Sequence, residues 1–193
     1  MNKIISLLAL IVSLWSVPQQ AWAATSDNPE RGLNLEMGFA ISRTIDEVDG
    51  GICRTRNGII YTPRIGYRFN ADWEAGLFFR YDKNKAVDCK GYGAFAEYSF
   101  VRWASGHLRV FADGLISYNK DDYDRDFVEV GFTPGIAFNI PRTPVDIKLR
   151  YMFIGFDSDH YLRKEVGGCL GHRGNWVIDA GLRRLELGVA VNF

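Results

Sequence analysis

The sequence predicts an all-β protein: an eight-stranded antiparallel up-and-down transmembrane β-barrel, formed after removal of an N-terminal signal peptide. Three observations carry that prediction. Residues 1–23 have the layout of an export signal. The rest of the chain falls into eight segments of alternating apolar and polar residues. The last of them, Leu185–Phe193, is a period-2 strand that stops on an aromatic.

The signal comes first. Lys3 supplies a positive n-region, and Ile4 to Val17 form an apolar stretch too short for a helical span. Ala21-Trp22-Ala23 is a small-x-small cleavage site, so the domains are a signal peptide over 1–23 and a barrel over 24–193. No Cys follows the cleavage point, which argues against a lipid anchor. No later stretch approaches the roughly 18 consecutive apolar residues of a membrane helix. A mature chain in a membrane would therefore be a closed barrel, because only helices and barrels satisfy every backbone group in lipid.

After a polar leader at Ala24–Glu30, the first strand runs near Gly32–Arg43, with Leu33, Leu35, Met37, Phe39 and Ile41 on one face. The second, Gly58–Asn70, presents Ile59, Tyr61, Ile65, Tyr67 and Phe69. The third, Trp73–Asp82, presents Trp73, Ala75, Leu77, Phe79 and Tyr81. The fourth, Gly91–Arg102, presents Tyr92, Ala94, Ala96, Tyr98 and Phe100. The fifth, His107–Tyr118, presents Leu108, Val110, Ala112, Ile116 and Tyr118. The sixth, Phe127–Ile140, presents Val128, Val130, Phe132, Ile136, Phe138 and Ile140. The seventh, Val145–Phe156, presents Val145, Ile147, Leu149, Tyr151 and Phe153. The eighth covers about Asn175–Phe193. Its apolar parity switches between Leu182 and Leu185; a one-residue bulge near Arg183–Arg184 explains this, as does an outer part standing above the membrane. Pro63 and Pro134 remove ladder donors inside strands and predict local bulges.

The connections alternate in length. Asn70–Asp72, Trp103–Gly106 and Pro141–Pro144 are short; Thr44–Asn57, Lys83–Lys90, Asn119–Asp126 and Asp157–Gly174 are long. Short periplasmic turns and long outer loops are the asymmetry of outer-membrane barrels, and an even strand number suits them.

Alternation alone fits a soluble barrel as well, with the faces exchanged. Charge decides first: the apolar positions of the first seven strands and of Leu185–Phe193 contain none, as lipid requires. Volume decides next. The opposite face is rich in Gly, Ala and Ser, which fit the narrow lumen of an eight-stranded barrel. Aromatics also gather at segment ends: Phe69, Trp73, Tyr98, Phe100, Phe138 and Phe193 at one, Tyr61, Tyr81, Tyr92, Tyr118, Phe153 and Trp176 at the other, as two interfacial girdles.

The lumen face carries the acids Glu36, Glu74, Glu97, Asp113, Glu129, Asp146 and Glu186. It carries the bases Arg64, Arg68, Arg80, Arg109, Lys148, Arg150 and Arg184. Burial demands that they pair across the lumen. The expected result is a plugged barrel; the alternative is an ion-conducting path.

Cys53, Cys89 and Cys169 all fall in the expected outer loops, so one disulfide plus an odd thiol is the arithmetic. Cys53–Cys89 is the preferred pair because its loops are consecutive, with Cys169 the alternative partner. Asp122, Asp124 and Asp126 mimic the start of a calcium loop, but Phe127 and Thr133 replace its Gly and closing Glu; the stretch reads as a solvated tip. Ser158-Asp159-His160 and His172 share a loop without any further motif, so no enzyme is predicted. Formal net charge is zero, and no phosphate cradle, zinc pattern or basic nucleic-acid patch is present; no cofactor, metal or nucleic acid is expected.

Gly93-Ala94-Phe95-Ala96-Glu97-Tyr98-Ser99-Phe100, Val110-Phe111-Ala112-Asp113-Gly114 and Leu185–Phe193 together resemble the small outer-membrane β-barrel domain family, similar to OmpX and the OmpA transmembrane domain. The resemblance implies a porin-like or surface-exposed barrel in the outer membrane of a Gram-negative bacterium. It implies insertion by the outer-membrane assembly machinery, which reads the terminal strand through Leu187, Val189, Val191 and Phe193. The family has no shared catalytic residues. Outer-membrane lipid and lipopolysaccharide are the expected surroundings. The expected role is structural or surface-interaction, through loops contacting an extracellular ligand; the alternatives are a small-solute channel and, behind it, a lipid-modifying enzyme.

Overall fold

The structure is a computed structural model. It describes residues 31–48, 52–83, 88–103, 107–122, 124–158, 169–173 and 175–193; within these, the side chains of 43–48, 52–56 and 169–173 are not described. The export signal lies outside the described residues.

Eleven strand segments build the wall: β1 Gly32–Val48, β2 Ile52–Arg68, β3 Trp73–Lys83, β4 Asp88–Trp103, β5 Leu108–Asp121, β6 Asp126–Asn139, β7 Val145–Arg150, β8 Phe153–Asp157, β9 Cys169–Arg173, β10 Trp176–Asp179 and β11 Glu186–Asn192. All pairings are antiparallel, each of β1 to β6 pairs with the next, β6 pairs with β7, β7 with β11, and β11 with β1. The sheet thus closes on itself with eight positions in the wall. β7 and β8 together are its seventh strand, and β10 and β11 its eighth. Closure removes the exposed sheet edge from this part of the wall.

Alternation sets the faces. Leu35, Ile65, Leu77, Phe79, Ile116, Val130, Ile136 and Leu187 are exposed on the outside, while Glu36, Arg64, Glu97, Asp113, Lys148 and Arg150 are buried inside. The terminal strand is tied on both edges. Asn192 N–H donates to the Pro144 carbonyl at 2.8 Å and Phe193 N–H to the Leu33 carbonyl at 2.8 Å. At one end the turn Asn70–Asp72 is fixed by the Asn70 carboxamide, whose Oδ1 accepts from Asp72 N–H at 2.8 Å and Trp73 N–H at 2.9 Å.

Several expectations are corrected by the ladder. Thr44–Asn57 is not all loop: β1 and β2 stay paired from Gly32↔Arg68 to Val48↔Ile52. The ladder carries the hairpin beyond the level of Tyr61 and Tyr81, and its β-branched residues Thr44, Ile45, Val48, Ile52 and Thr55 suit extended strand. Pro63 causes no bulge. Register is the same on both sides of it, at Tyr61↔Tyr81 and Arg64↔Phe78, and only the pairs between them are lost.

Pro134 does face one extra residue. Gly135 pairs Arg150 and Phe132 pairs Ile154, so three steps on β6 oppose four on its partner. Met152, at φ 72°, absorbs the difference. The slip turns Phe153 inward, to 0% exposure, and not onto the outer girdle where simple alternation places it. A second slip, at Ser99/Val101 in the β4–β5 ladder, was not signalled by the alternation.

The parity switch in the eighth strand is one turn of 3-10 helix, Leu182–Arg184, in place of a one-residue bulge. Three residues per turn return Leu182 and Leu185 to the same direction, and both are exposed outside. Asp179 holds the turn: Oδ1 accepts from Gly181 N–H at 2.9 Å, and Oδ2 accepts from Arg183 Nη2 at 2.7 Å and Arg184 Nε at 2.9 Å. Before it, β10 pairs with β8 on one edge and with β9 on the other, so β9 and β10 make an additional short hairpin above the closed wall.

Candidate functional site: the charged barrel interior

The interior is built in three layers. The lowest, nearest the short turns, joins Arg68, Arg109, Glu74 and Asp146. Asp146 Oδ2 accepts from Arg109 Nη2 at 2.7 Å and Arg68 Nη2 at 3.0 Å, and Arg68 also reaches Glu74 at 3.4 Å. Alternation along β7 stacks Asp146, Lys148 and Arg150 on one line facing the axis. Lys148 Nζ donates to Glu97 at 2.8 Å and Glu74 at 3.3 Å, and lies 3.4 Å from Glu36.

Arg150 is the hub. Its guanidinium pairs with both oxygens of Glu36, and Nε donates to Asp113 Oδ2 at 2.9 Å. It also meets Glu97 at 3.3 Å and Glu186 at 3.4 Å. Arg64 joins from β2, at 2.5 Å from Asp113 and 3.3 Å from Glu186. Arg150 is 1% exposed and Lys148 0%. A planar fork with five donors suits this position, because no single carboxylate could satisfy it here. Gly38 and Gly188, directly paired across β1 and β11, make the room: a Cβ on Gly38 would come 2.7 Å from the Glu186 carboxyl carbon, and one on Gly188 would meet the Glu36 carboxylate.

The middle layer is apolar. Phe78, Phe95, Leu115, Phe153 and Val177 pack together inside the barrel. Guanidinium groups cap it on both sides. Arg64 lies 5.1 Å from the Phe95 ring centre and 5.4 Å from that of Phe78, while Arg80 lies 5.7 Å from Phe78 and Arg184 4.5 Å from Phe153. Phe153 fits because β6 and β8 meet it with glycine: a Cβ on Gly131 would sit 2.9 Å from its ring, and one on Gly155 3.0 Å.

The third layer is again charged. Glu129 accepts from Arg184 Nη2 at 2.6 Å and from Arg80 Nη1 at 3.0 Å, and Arg184 links onward to Asp179. Asp157 stands 4.0 Å from Arg184. Above it, Ser42 Oγ donates to Asp82 at 3.1 Å.

All the expected interior charges, Glu36, Arg64, Arg68, Glu74, Arg80, Glu97, Arg109, Asp113, Glu129, Asp146, Lys148, Arg150, Arg184 and Glu186, are therefore placed within ion-pair distance of at least one partner. Simple alternation missed Asp157, Asp179 and Phe153, whose parity depends on the slip and the 3-10 turn. It also passed over Phe78, Phe95 and Phe111, although they stand at lumen parity in their strands; that parity was the available signal.

The other candidates separate. Leu187, Val189, Val191 and Phe193 of the closing strand face outward. Cys89 aligns with Asp82, which is level with Ile60 on β2, whereas Cys53 stands seven residues further out on β2. At about 3.3 Å per residue that is roughly 23 Å along the strand, against a Cα limit near 7 Å for a disulfide. The preferred Cys53–Cys89 bridge does not fit this register. Cys169 pairs with Asp179 on the outer hairpin; the side chains of Cys53 and Cys169 are not described. Asp122, Asp124 and Asp126 do not converge: Asp124 sits 2.8 Å from Lys120, and the Asp122 carboxylate accepts from Asp88 N–H at 3.2 Å. Among the described residues no group of acids, Cys and His could hold a metal ion. Ser158 Oγ accepts from Val128 N–H at 2.8 Å; Asp159 and His160 lie outside the described residues, and so does the side chain of His172.

No family model and no curated protein matches the chain. Among solved structures, it is similar to the crystal structure of Neisserial surface protein A, with a TM-score of 0.54 at 17% identity, over 84% of this chain and 97% of that one. The likeness is one of fold: both are small closed β-barrels.

Proposed function

We propose that this protein is an integral outer-membrane barrel of a Gram-negative bacterium with a closed interior, acting as a structural or surface-interaction protein through its outer loops. The outward face supports the membrane. Trp73 and Tyr81 on β3 stand eight residues apart, about 26 Å along the strand and roughly 20 Å once tilted, close to the ~25 Å apolar band of such barrels. Cross-strand ring pairs mark both levels: Trp73–Tyr98 at 4.7 Å and Tyr92–Tyr118 at 5.4 Å between centres. The surrounding partners are outer-membrane lipid and lipopolysaccharide. Leu187, Val189, Val191 and Phe193 are the residues offered to the assembly machinery during insertion.

The observation that carries the closed interior is the stack of paired charge, phenylalanine and paired charge across one narrow lumen. An ion would have to break buried pairs and then pass an apolar layer, and both steps are costly. Purified protein in planar bilayers is expected to give no stable ion-sized openings. Reproducible single-channel steps would replace this reading with a small-solute channel. Fractionation with outer membranes and heat-modifiable gel migration test the location and the barrel together. An extracellular ligand, bound by the loops, is the partner this role requires.

A further inference from the structure

The lipid-facing wall is not uniformly filled. Met37, Phe39, Tyr61, Pro63, Phe79 and Tyr81 line an apolar groove of about 270 Å³ across β1, β2 and β3. Its cause is local. Pro63 has no N–H to give β3, the β2–β3 pairs are missing at this point, and a compact pyrrolidine ring stands between larger neighbours.

Register places two cations beside its outer end. Phe39, Tyr61, Tyr81 and Lys90 occupy one row across four strands. Lys83 lies two residues outward of Tyr81 and is the diagonal neighbour of Lys90, about 7–8 Å away on the same face. Both lysines are exposed, and neither forms an ion pair among the described residues. Of the acids nearby, Asp124 holds Lys120, Asp122 accepts Asp88 N–H, and Asp88, which accepts the Tyr81 hydroxyl at 2.9 Å, is the carboxylate that stands opposite Lys83.

We infer that this groove with Lys83 and Lys90 is a docking site for one phosphorylated, multiply acylated lipid of the outer leaflet, an acyl chain lying in the groove and a phosphate bridging the two ammonium groups. The inference rests on the outer-membrane orientation proposed above. An apolar slot with Tyr61 and Tyr81 at its outer end, beside two lysines that form no ion pair among the described residues, matches such a lipid in order and in sign. Each lysine near a phosphate layer adds attraction that a neutral lipid cannot use.

The test uses the full mature protein in phosphatidylcholine nanodiscs, titrated with diphosphoryl lipid A and followed by native mass spectrometry. One lipid A is expected to be retained per barrel, in preference to dephosphorylated lipid A and to phosphatidylglycerol. Lys83→Glu and Lys90→Glu are each expected to weaken retention about tenfold. Met37→Trp, which fills the groove without touching charge, should weaken it as well. Arg31→Glu, an equal charge change at the opposite end, should leave it unaltered. Equal retention of phosphatidylglycerol, or variants that bind like the parent, overturns the site while leaving the barrel reading intact. Absence of heat-modifiable migration in the parent would overturn both.

Discussion

Replacing Arg150 by Met lowers the unfolding free energy of the barrel by about 3–5 kcal/mol, measured by urea unfolding in phosphatidylcholine vesicles. The side chain is 1% exposed and meets Glu36, Asp113, Glu97 and Glu186. Met keeps most of the volume, so the loss is electrostatic. Breaking one side of a buried ion network leaves carboxylates with neither water nor cation. Lys148 and Arg64 remain in the layer, but each already serves other acids. Adding Glu36→Gln to Arg150→Met should recover part of the loss, because it removes one of the stranded charges. The rim gives the contrast. Arg102 and Asp72 are 3.2 Å apart with side chains 29% and 51% exposed, and Arg102→Met should cost no more than about 1 kcal/mol. A loss below 1 kcal/mol for Arg150→Met would mean that water reaches these acids.

Regular wall and local irregularity differ in what can be read from the sequence. Period-2 alternation fixes the faces of β1 to β7, since an apolar outer face on one side and a narrow lumen on the other leave each residue one choice. It fails wherever a residue is added or the backbone turns. Nothing about Met152 in the sequence announces a positive φ, so Phe153 passes for an outward residue until the ladder shows the slip. Leu182 and Leu185 announce a change of parity, but a bulge and a 3-10 turn alter parity alike. The backbone bond from Leu185 N–H to the Leu182 carbonyl, at 3.1 Å, is what distinguishes them. The charged layers were legible because Glu and Arg at lumen parity have no other place to go. Their partners were not, since pairing across the lumen depends on barrel radius and strand stagger, which alternation does not encode. The β1–β2 hairpin is the least legible part: it continues as ladder to Val48↔Ile52 where composition suggests a loop, because beyond the aromatic residues neither face is held to one kind of residue.

Gly135→Val is expected to destabilise the barrel by at least about 1–3 kcal/mol and to reduce the heat-modifiable folded band. A Cβ at Gly135 would run into the Phe111 ring and come 2.8 Å from the Leu149 carbonyl oxygen. The ring has nowhere to retreat. Phe111 is fully buried, with the Arg150 guanidinium 5.3 Å and the Lys148 ammonium 5.8 Å from its centre. Moving it would disturb the hub of the charged layer, so overpacking here is transmitted to buried ion pairs. Phe111→Leu combined with Gly135→Val should regain part of the loss by clearing the ring, and only part, because the carbonyl contact belongs to the backbone. Gly114→Val is the matched control: a Cβ there meets only the Ala96 carbonyl oxygen at 3.5 Å, an ordinary contact. Its effect should stay within about 0.5 kcal/mol. Equal stability of Gly135→Val and Gly114→Val would show that the lumen has free volume, and the closed-interior reading would fall with it.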